Sequence, residues 1–213
     1  TAVEPKAYTV DWDAAAAEKG GYDYFMLKEI AEQPVVLGDA LNHYVKGDRI
    51  VLPEALDFSA VDRLTLVGCG TAYYAAHVAR YWFETLSGLP CDLDVASEFR
   101  YREPPLSPQS WALFVSQSGE TADTLAALHY ARDKVARTVG VVNVGTSAIA
   151  RDADIALPIL AGVEVGVASG VGAATGTGEG SRSTQPMSMR SGSASSICRS
   201  MNGLQIATSC GVG

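Results

Sequence analysis

Between residues 64 and 160 the chain alternates short apolar runs of strand length with helix-length segments, and no other feature narrows the choice of fold as much. The apolar runs cover residues 64–69, 91–96, 112–116, 139–144 and 155–160. Residues 71–87 and 120–135 carry helical patterns between them, and Glu98, Phe99, Arg100 and Tyr101 mark a shorter turn region. Strands joined through helices run parallel and are covered by helices on both faces. The predicted class is α/β, a doubly wound three-layer parallel sheet flanked by helices. Ahead of it, residues 25–33 (Met26, Ile30) predict a helix that ends before Pro34, and residues 35–46 (Leu37, Leu41, Tyr44) a second helix ending before Gly47.

Composition breaks near Ser169. The 44 residues 170–213 hold 9 Gly and 9 Ser and lack Phe, Trp, Tyr, Lys and Asp. Such a segment buries too little apolar surface to offset the entropy of ordering it, so a disordered Gly/Ser-rich tail is predicted. The expected organisation is therefore a leading segment 1–20, a folded domain 21–169 and the tail 170–213.

In doubly wound sheets ligands sit beyond the carboxyl ends of the strands, where strand order reverses. The third apolar run leads into Ser116-Gln117-Ser118-Gly119-Glu120-Thr121 and then into a helix. That loop sets three hydroxyls, one amide and unpaired backbone N–H groups around a helix N-terminus, where the dipole favours an anion. It reads as a phosphate cradle, and the lack of a GxxxxGK[ST] lysine argues against triphosphate hydrolysis. The competing reading is that Ser118 or Thr121 only caps the helix.

The first run leads into Gly68-Cys69-Gly70-Thr71-Ala72. A GxG after a strand, with Asp92 and Asp94 further on, partly matches a dinucleotide fingerprint. The third glycine position holds Tyr73, which is expected to spoil close packing of helix on strand and disfavours that reading. Cys69 reads as a small buried hydrophobe rather than a nucleophile, because no histidine lies near it in sequence. His43, His77 and His129 all fall within helical patterns, and no Ser/His/Asp or paired-carboxylate set emerges.

With 24 acidic and 16 basic residues the formal net charge is -8, which argues against holding a nucleic acid by general basicity. No apolar stretch approaches the ~20 residues of a membrane span and no signal-peptide pattern opens the chain, so a soluble, cytoplasmic protein is expected. Cys69, Cys91, Cys198 and Cys210 show no CxxC pairing, so reduced thiols are expected, with no metal site and no cofactor.

The segments GCGTAYYAAHVARYWFE, ASEFRYRE, SQSGETADTLAAL and AGVEVGVAS follow one another in this order. They resemble the first sugar isomerase (SIS) domain of the isomerising glutamine–fructose-6-phosphate aminotransferases, which make glucosamine 6-phosphate from fructose 6-phosphate and glutamine. EKGGYDYFMLKEIAEQP resembles the link from that family's glutaminase domain, and AYTVDWDAAAA the end of the glutaminase domain itself; the likeness runs from about Tyr8 to Ser169. It implies that Ser116, Gln117, Ser118 and Thr121 hold the phosphate of fructose 6-phosphate or a related sugar phosphate. It further implies that Gly70, Thr71 and Ala72 lie at the sugar, that Val167 and Ser169 approach it from a later loop, and that the full-length family forms homodimers. Ala72 stands where the family commonly has a serine, a loss of one hydroxyl contact worth about 1 kcal/mol.

The family's glutaminase nucleophile and its ring-opening and isomerising groups belong to other domains, so no catalytic residue is expected here and the chain is expected to be catalytically incomplete. The family continues past GVAS with a segment resembling TKAFTTQ, whereas this chain reads GVGAATGTG, as a frameshift or a cloning junction would produce. The alternative reading is a free-standing SIS regulator that binds a sugar phosphate.

Overall fold

The computed structural model describes residues 18–53 and 56–165. The tail 170–213, most of the leading segment 1–20, Val167, Ser169, Cys198 and Cys210 lie outside the described residues.

A helix α1 (Phe25–Tyr44) comes first. A small antiparallel pair follows, β1 (Val45–Lys46) with β2 (Arg49–Ile50). The chain then builds β3 (Leu64–Gly68), α2 (Gly70–Trp82) with a π-helical turn Phe83–Ser87, β4 (Cys91–Val95) and α3 (Ala96–Arg102). It ends with β5 (Trp111–Ser116), α4 (Ala122–Ala131), β6 (Arg137–Val142), α5 (Ala148–Asp152) and β7 (Ile155–Pro158). The five strands form one parallel sheet in the order β4-β3-β5-β6-β7.

All five apolar runs contain strands, each short and bounded by turn residues; β3 and β5 at the centre are buried throughout, whereas the edge strands β4 and β7 are buried only at their first residues. Alternation sorts their side chains. Leu64, Leu66, Leu113 and Val115 meet Ala72 and Ala76 of α2 on one face. Val67, Ala112 and Phe114 meet Phe99 of α3, Ala127 and Leu128 of α4 and Ile149 of α5 on the other. These two cores are the three layers that the sequence predicts, and burying a Leu or Phe side chain in either stabilises the fold by about 2 kcal/mol.

Two expectations are corrected. The paired helices around Pro34 are one helix, α1, with the proline inside it. A proline interior to a helix forfeits the bond to the carbonyl four residues back, at a cost of ~3 kcal/mol. Here that carbonyl belongs to Ile30, on the solvent side of the helix, and α1 is held at both ends: Glu29 Oε1 accepts from the N–H of Val165 at 2.7 Å, and the Tyr44 hydroxyl donates to the Pro158 carbonyl at 2.7 Å. Of the apolar residues in the pattern, Met26 and Tyr44 are half-buried, whereas Ile30, Leu37 and Leu41 are exposed. The second correction is the turn around Phe99, which is the helix α3. Phe99 is wholly buried, edge-on to Phe114 at 6.5 Å, and this anchor winds a short segment that too few residues specify by periodicity alone.

Candidate functional site

Strand order reverses between β3 and β5: the chain leaves β3 for β4 on one side and returns to β5 on the other. The turns after these two neighbouring strands open onto one cavity of about 590 Å³, lined by Cys69, Gly70, Thr71 and Ala72 from the first turn and Val115, Ser116, Gln117, Ser118 and Thr121 from the second. Seven of the nine residues expected at the site thus share one cavity, at the position that the topology favours for ligands. The other two, Val167 and Ser169, lie outside the described residues.

The first turn is shaped by two glycines. Gly68 ends β3 so close to α2 that a Cβ there would stand 3.0 Å from the backbone nitrogen of Tyr73. Gly70 opens α2 at φ +55°, in the left-handed region. The close approach of helix to strand is therefore kept despite Tyr73, whose ring turns along α2 to stack on His77 at 6.3 Å. Ala72 also lines the cavity and brings no hydroxyl to it. The first N–H groups of α2 have no intrahelical acceptor and belong to residues that line the cavity.

The second turn is a tightly bonded loop. Ser116 Oγ accepts from the N–H of Gly119 at 3.1 Å and shares a hydrogen bond with Thr121 Oγ1 at 3.0 Å. Ser118 Oγ accepts from the N–H of Glu120 at 3.2 Å. Thr121 occupies the N-cap position of α4, yet its side chain makes no capping bond. Its hydroxyl faces Ser116 and the cavity instead, so capping does not account for this threonine.

The loop is braced from behind by residues that motif reading passed over. Gly119 has φ +65°, and a Cβ on it would lie 2.0 Å from Ser147 Oγ. The Gly119 carbonyl accepts from the N–H of Ile149 at 3.0 Å, and Glu120 Oε1 accepts from the N–H of Ala148 at 2.8 Å. Ser147 Oγ accepts from the N–H of Ala150, capping α5. The signal was present in the sequence as Thr146-Ser147-Ala148, a serine cap before a short helix, but five residues are too few to show a helical period. The cavity also has a wall from outside the motifs, Met26 of α1.

No lysine, arginine, histidine or carboxylate lines the cavity among the described residues. The lining offers hydroxyls, an amide and backbone N–H groups at two helix N-termini, a set that binds an anion through neutral donors and dipoles. Apart from the thiol of Cys69, the described lining residues offer no side chain suited to remove or supply a proton on carbon. His43, His77 and His129 sit on α1, α2 and α4, and His129 is paired with Asp152 at 2.8 Å on the far side of the α4 helix start. Cys69 and Cys91 are free thiols; burial pushes the Cys91 thiol up to about 11. No group of side chains with metal-ligating geometry occurs among the described residues, and no described helix is long and apolar enough to cross a membrane.

A family model described as SIS domain matches residues 57–175. The isomerising glutamine–fructose-6-phosphate aminotransferase of Bradyrhizobium diazoefficiens is 57% identical over 160 residues, which cover 73% of this chain and 26% of that protein. The chain thus spans about a quarter of the length of the curated relatives it matches. Among solved structures, the C-terminal domain of glucosamine-fructose-6-phosphate aminotransferase from Francisella tularensis superposes with a TM-score of 0.70 at 35% identity, over 75% of this chain and 48% of that one. A glucosamine-6-phosphate deaminase from Thermotoga maritima follows at a TM-score of 0.53 and 25% identity, over 64% of this chain and 40% of that one.

Proposed function

Because the chain belongs to the SIS domain family, we propose that its cavity binds a hexose 6-phosphate, with fructose 6-phosphate the favoured ligand. We further propose that the chain is the first sugar-phosphate-binding module of an isomerising glutamine–fructose-6-phosphate aminotransferase. The observation that carries this reading is the loop 116–121, whose hydroxyls and N–H groups converge at the switch point of the sheet. When Ser116 donates to Thr121 Oγ1, the Thr121 proton is released to point at an anion, while the N–H of Gly119 satisfies Ser116. The names of the two relatives nearest in function to each other, an aminotransferase that takes fructose 6-phosphate and a deaminase of glucosamine 6-phosphate, share a hexose 6-phosphate.

By this reading Ser116, Gln117, Ser118 and Thr121 hold the phosphate, Gly70, Thr71 and Ala72 face the sugar, and Val167 and Ser169 approach it from beyond the described residues. The chain by itself has no synthase turnover, since, the Cys69 thiol apart, no described residue that lines the cavity can act as an acid or base. Its place in the cell is the cytoplasm, and its parent enzyme is a homodimer.

Calorimetry with the full chain tests this. Fructose 6-phosphate and inorganic phosphate are both expected to bind, and Thr121→Ala and Ser118→Ala each to weaken both ligands by about tenfold or more, since one hydrogen bond to a charged group is worth roughly 1.5–3 kcal/mol. Folded protein that gives no phosphate-dependent heat overturns the assignment. Glucosamine 6-phosphate formed by the purified chain would overturn its catalytic incompleteness.

A further inference from the structure

Helix α1 lies against the rest of the fold along the stripe Met26, Glu29, Gln33, Val36, Ala40 and Tyr44, each half-buried and spaced three or four residues apart. Met26 heads this stripe and lines the cavity; Glu29 follows one turn later. Beside the bond from Tyr44 to Pro158 and that from the buried Lys28 to the Glu18 carbonyl, a chain of hydrogen bonds that starts in the phosphate loop reaches the cavity end of the helix. The Gln117 carbonyl accepts from the N–H of Asn143 at 3.0 Å. The Asn143 side chain accepts from the N–H of Ala161 at 2.8 Å and donates to the carbonyl of Gly162 at 2.7 Å. Four residues on, the N–H of Val165 donates to Glu29 at 2.7 Å. Just ahead of Ala161, Leu160 sits at φ 64°, a left-handed conformation costly for a branched side chain, so the clamp at Asn143 fixes a turn that would otherwise relax.

We propose that Met26 is a specificity-determining wall of the sugar-phosphate site, set against the part of the ligand beyond the phosphate, and that Glu29 and Asn143 are the residues that position it. The inference rests on the hexose 6-phosphate reading above and adds a residue to it. A thioether donates no hydrogen bond and is at best a weak acceptor, so it gains nothing from a phosphate oxygen. It gains from C–H surface, which a hexose carries and inorganic phosphate lacks. The loop 116–121 therefore serves both ligands, and Met26 only one of them.

Titrating the full chain by calorimetry with inorganic phosphate and with fructose 6-phosphate separates these roles. Met26→Ala is expected to leave phosphate affinity within twofold and to weaken fructose 6-phosphate roughly five- to tenfold, because the three heavy atoms removed meet the sugar with part of their surface. Met26→Leu, close in volume, is expected to keep the original ratio. Glu29→Ala and Asn143→Ala should show the same selective loss, and Glu29→Gln, which retains an acceptor for Val165, should restore most of it. The double variant Met26→Ala with Glu29→Ala should be no weaker than the worse single one, because both act through the same contact. The proposal is overturned if Met26→Ala weakens both ligands alike or neither. It is also overturned if Glu29→Ala, folded by circular dichroism, keeps the original ratio. An unmodified chain that binds neither ligand removes the phosphate reading and this wall together, an outcome distinct from a wild-type site that is blind to Met26.

Discussion

Gly119 shows how much one residue decides. At φ +65° any side chain is strained, and here a methyl group would also lie 2.0 Å from Ser147 Oγ and 2.5 Å from its Cβ. Ser147 is buried and caps α5, so it has little room to yield. Gly119→Ala is expected to cost about 2 kcal/mol or more of stability, from the conformation and the overlap together. Urea unfolding checks it: a loss under about 0.5 kcal/mol would mean that the loop is not pinned as described. Sequence made much of this loop legible. Ser116, Ser118 and Thr121 were readable as one loop at a strand end because hydroxyls around a glycine before a helix suit an anion, and the structure brings them together at the cavity. What could not be read was the choice between cradle and cap for Thr121, since that depends on where one hydroxyl points. Nor was Met26 readable as cavity lining, because its place depends on hydrogen bonds spanning 136 residues, from Glu29 to Val165.

Among the elements, the strands were legible and the helices less so. Each strand of the parallel sheet falls in a short apolar run, and the central β3 and β5 are buried throughout, a signal that needs no partner to be recognised. In α1 the periodicity was real but its direction was not, because the stripe that packs inward mixes Glu29 and Gln33 with Met26 and Val36, while Leu37 and Leu41 face solvent. Pro34 suggested a break, yet a helix anchored at Glu29 and Tyr44 carries it. The helix α3 depends on one buried ring, Phe99, and the short α5 on one cap, Ser147.

Strand β4 offers a test of burial at the element scale. Its first residue, Cys91, is buried, and its thiol is raised from 9.0 to about 11, chiefly by burial. In the unfolded chain the thiol ionises near its ordinary value, whereas in the folded chain it stays protonated well above that. The folded state therefore holds the more protons between these values, so its stabilisation is complete below pH 9 and is lost as pH rises toward 11. Urea midpoints measured at pH 8, 9.5 and 10.5 are expected to fall more steeply for the native chain than for Cys91→Ala. Equal slopes would mean that the thiol is not shielded.

At the scale of the whole molecule, the three layers place two turns from neighbouring strands at one edge of the sheet, and the site is a consequence of that order. A protein with a net charge of -8 is an unpromising host for a dianion. On the proposed reading the described lining would meet it with neutral hydroxyls and the positive ends of α2 and α4 rather than with lysines, a field that is local and built into the backbone. The most direct measurement is a crystal structure of the chain soaked with fructose 6-phosphate. The phosphate is predicted to lie within hydrogen-bond distance of Ser118 and Thr121 and of the N–H groups of the loop 116–121, with the sugar carbons extending past Gly70, Thr71 and Ala72 toward Met26. A sugar phosphate found elsewhere on the molecule, or seated with its phosphate away from this loop, would contradict the account.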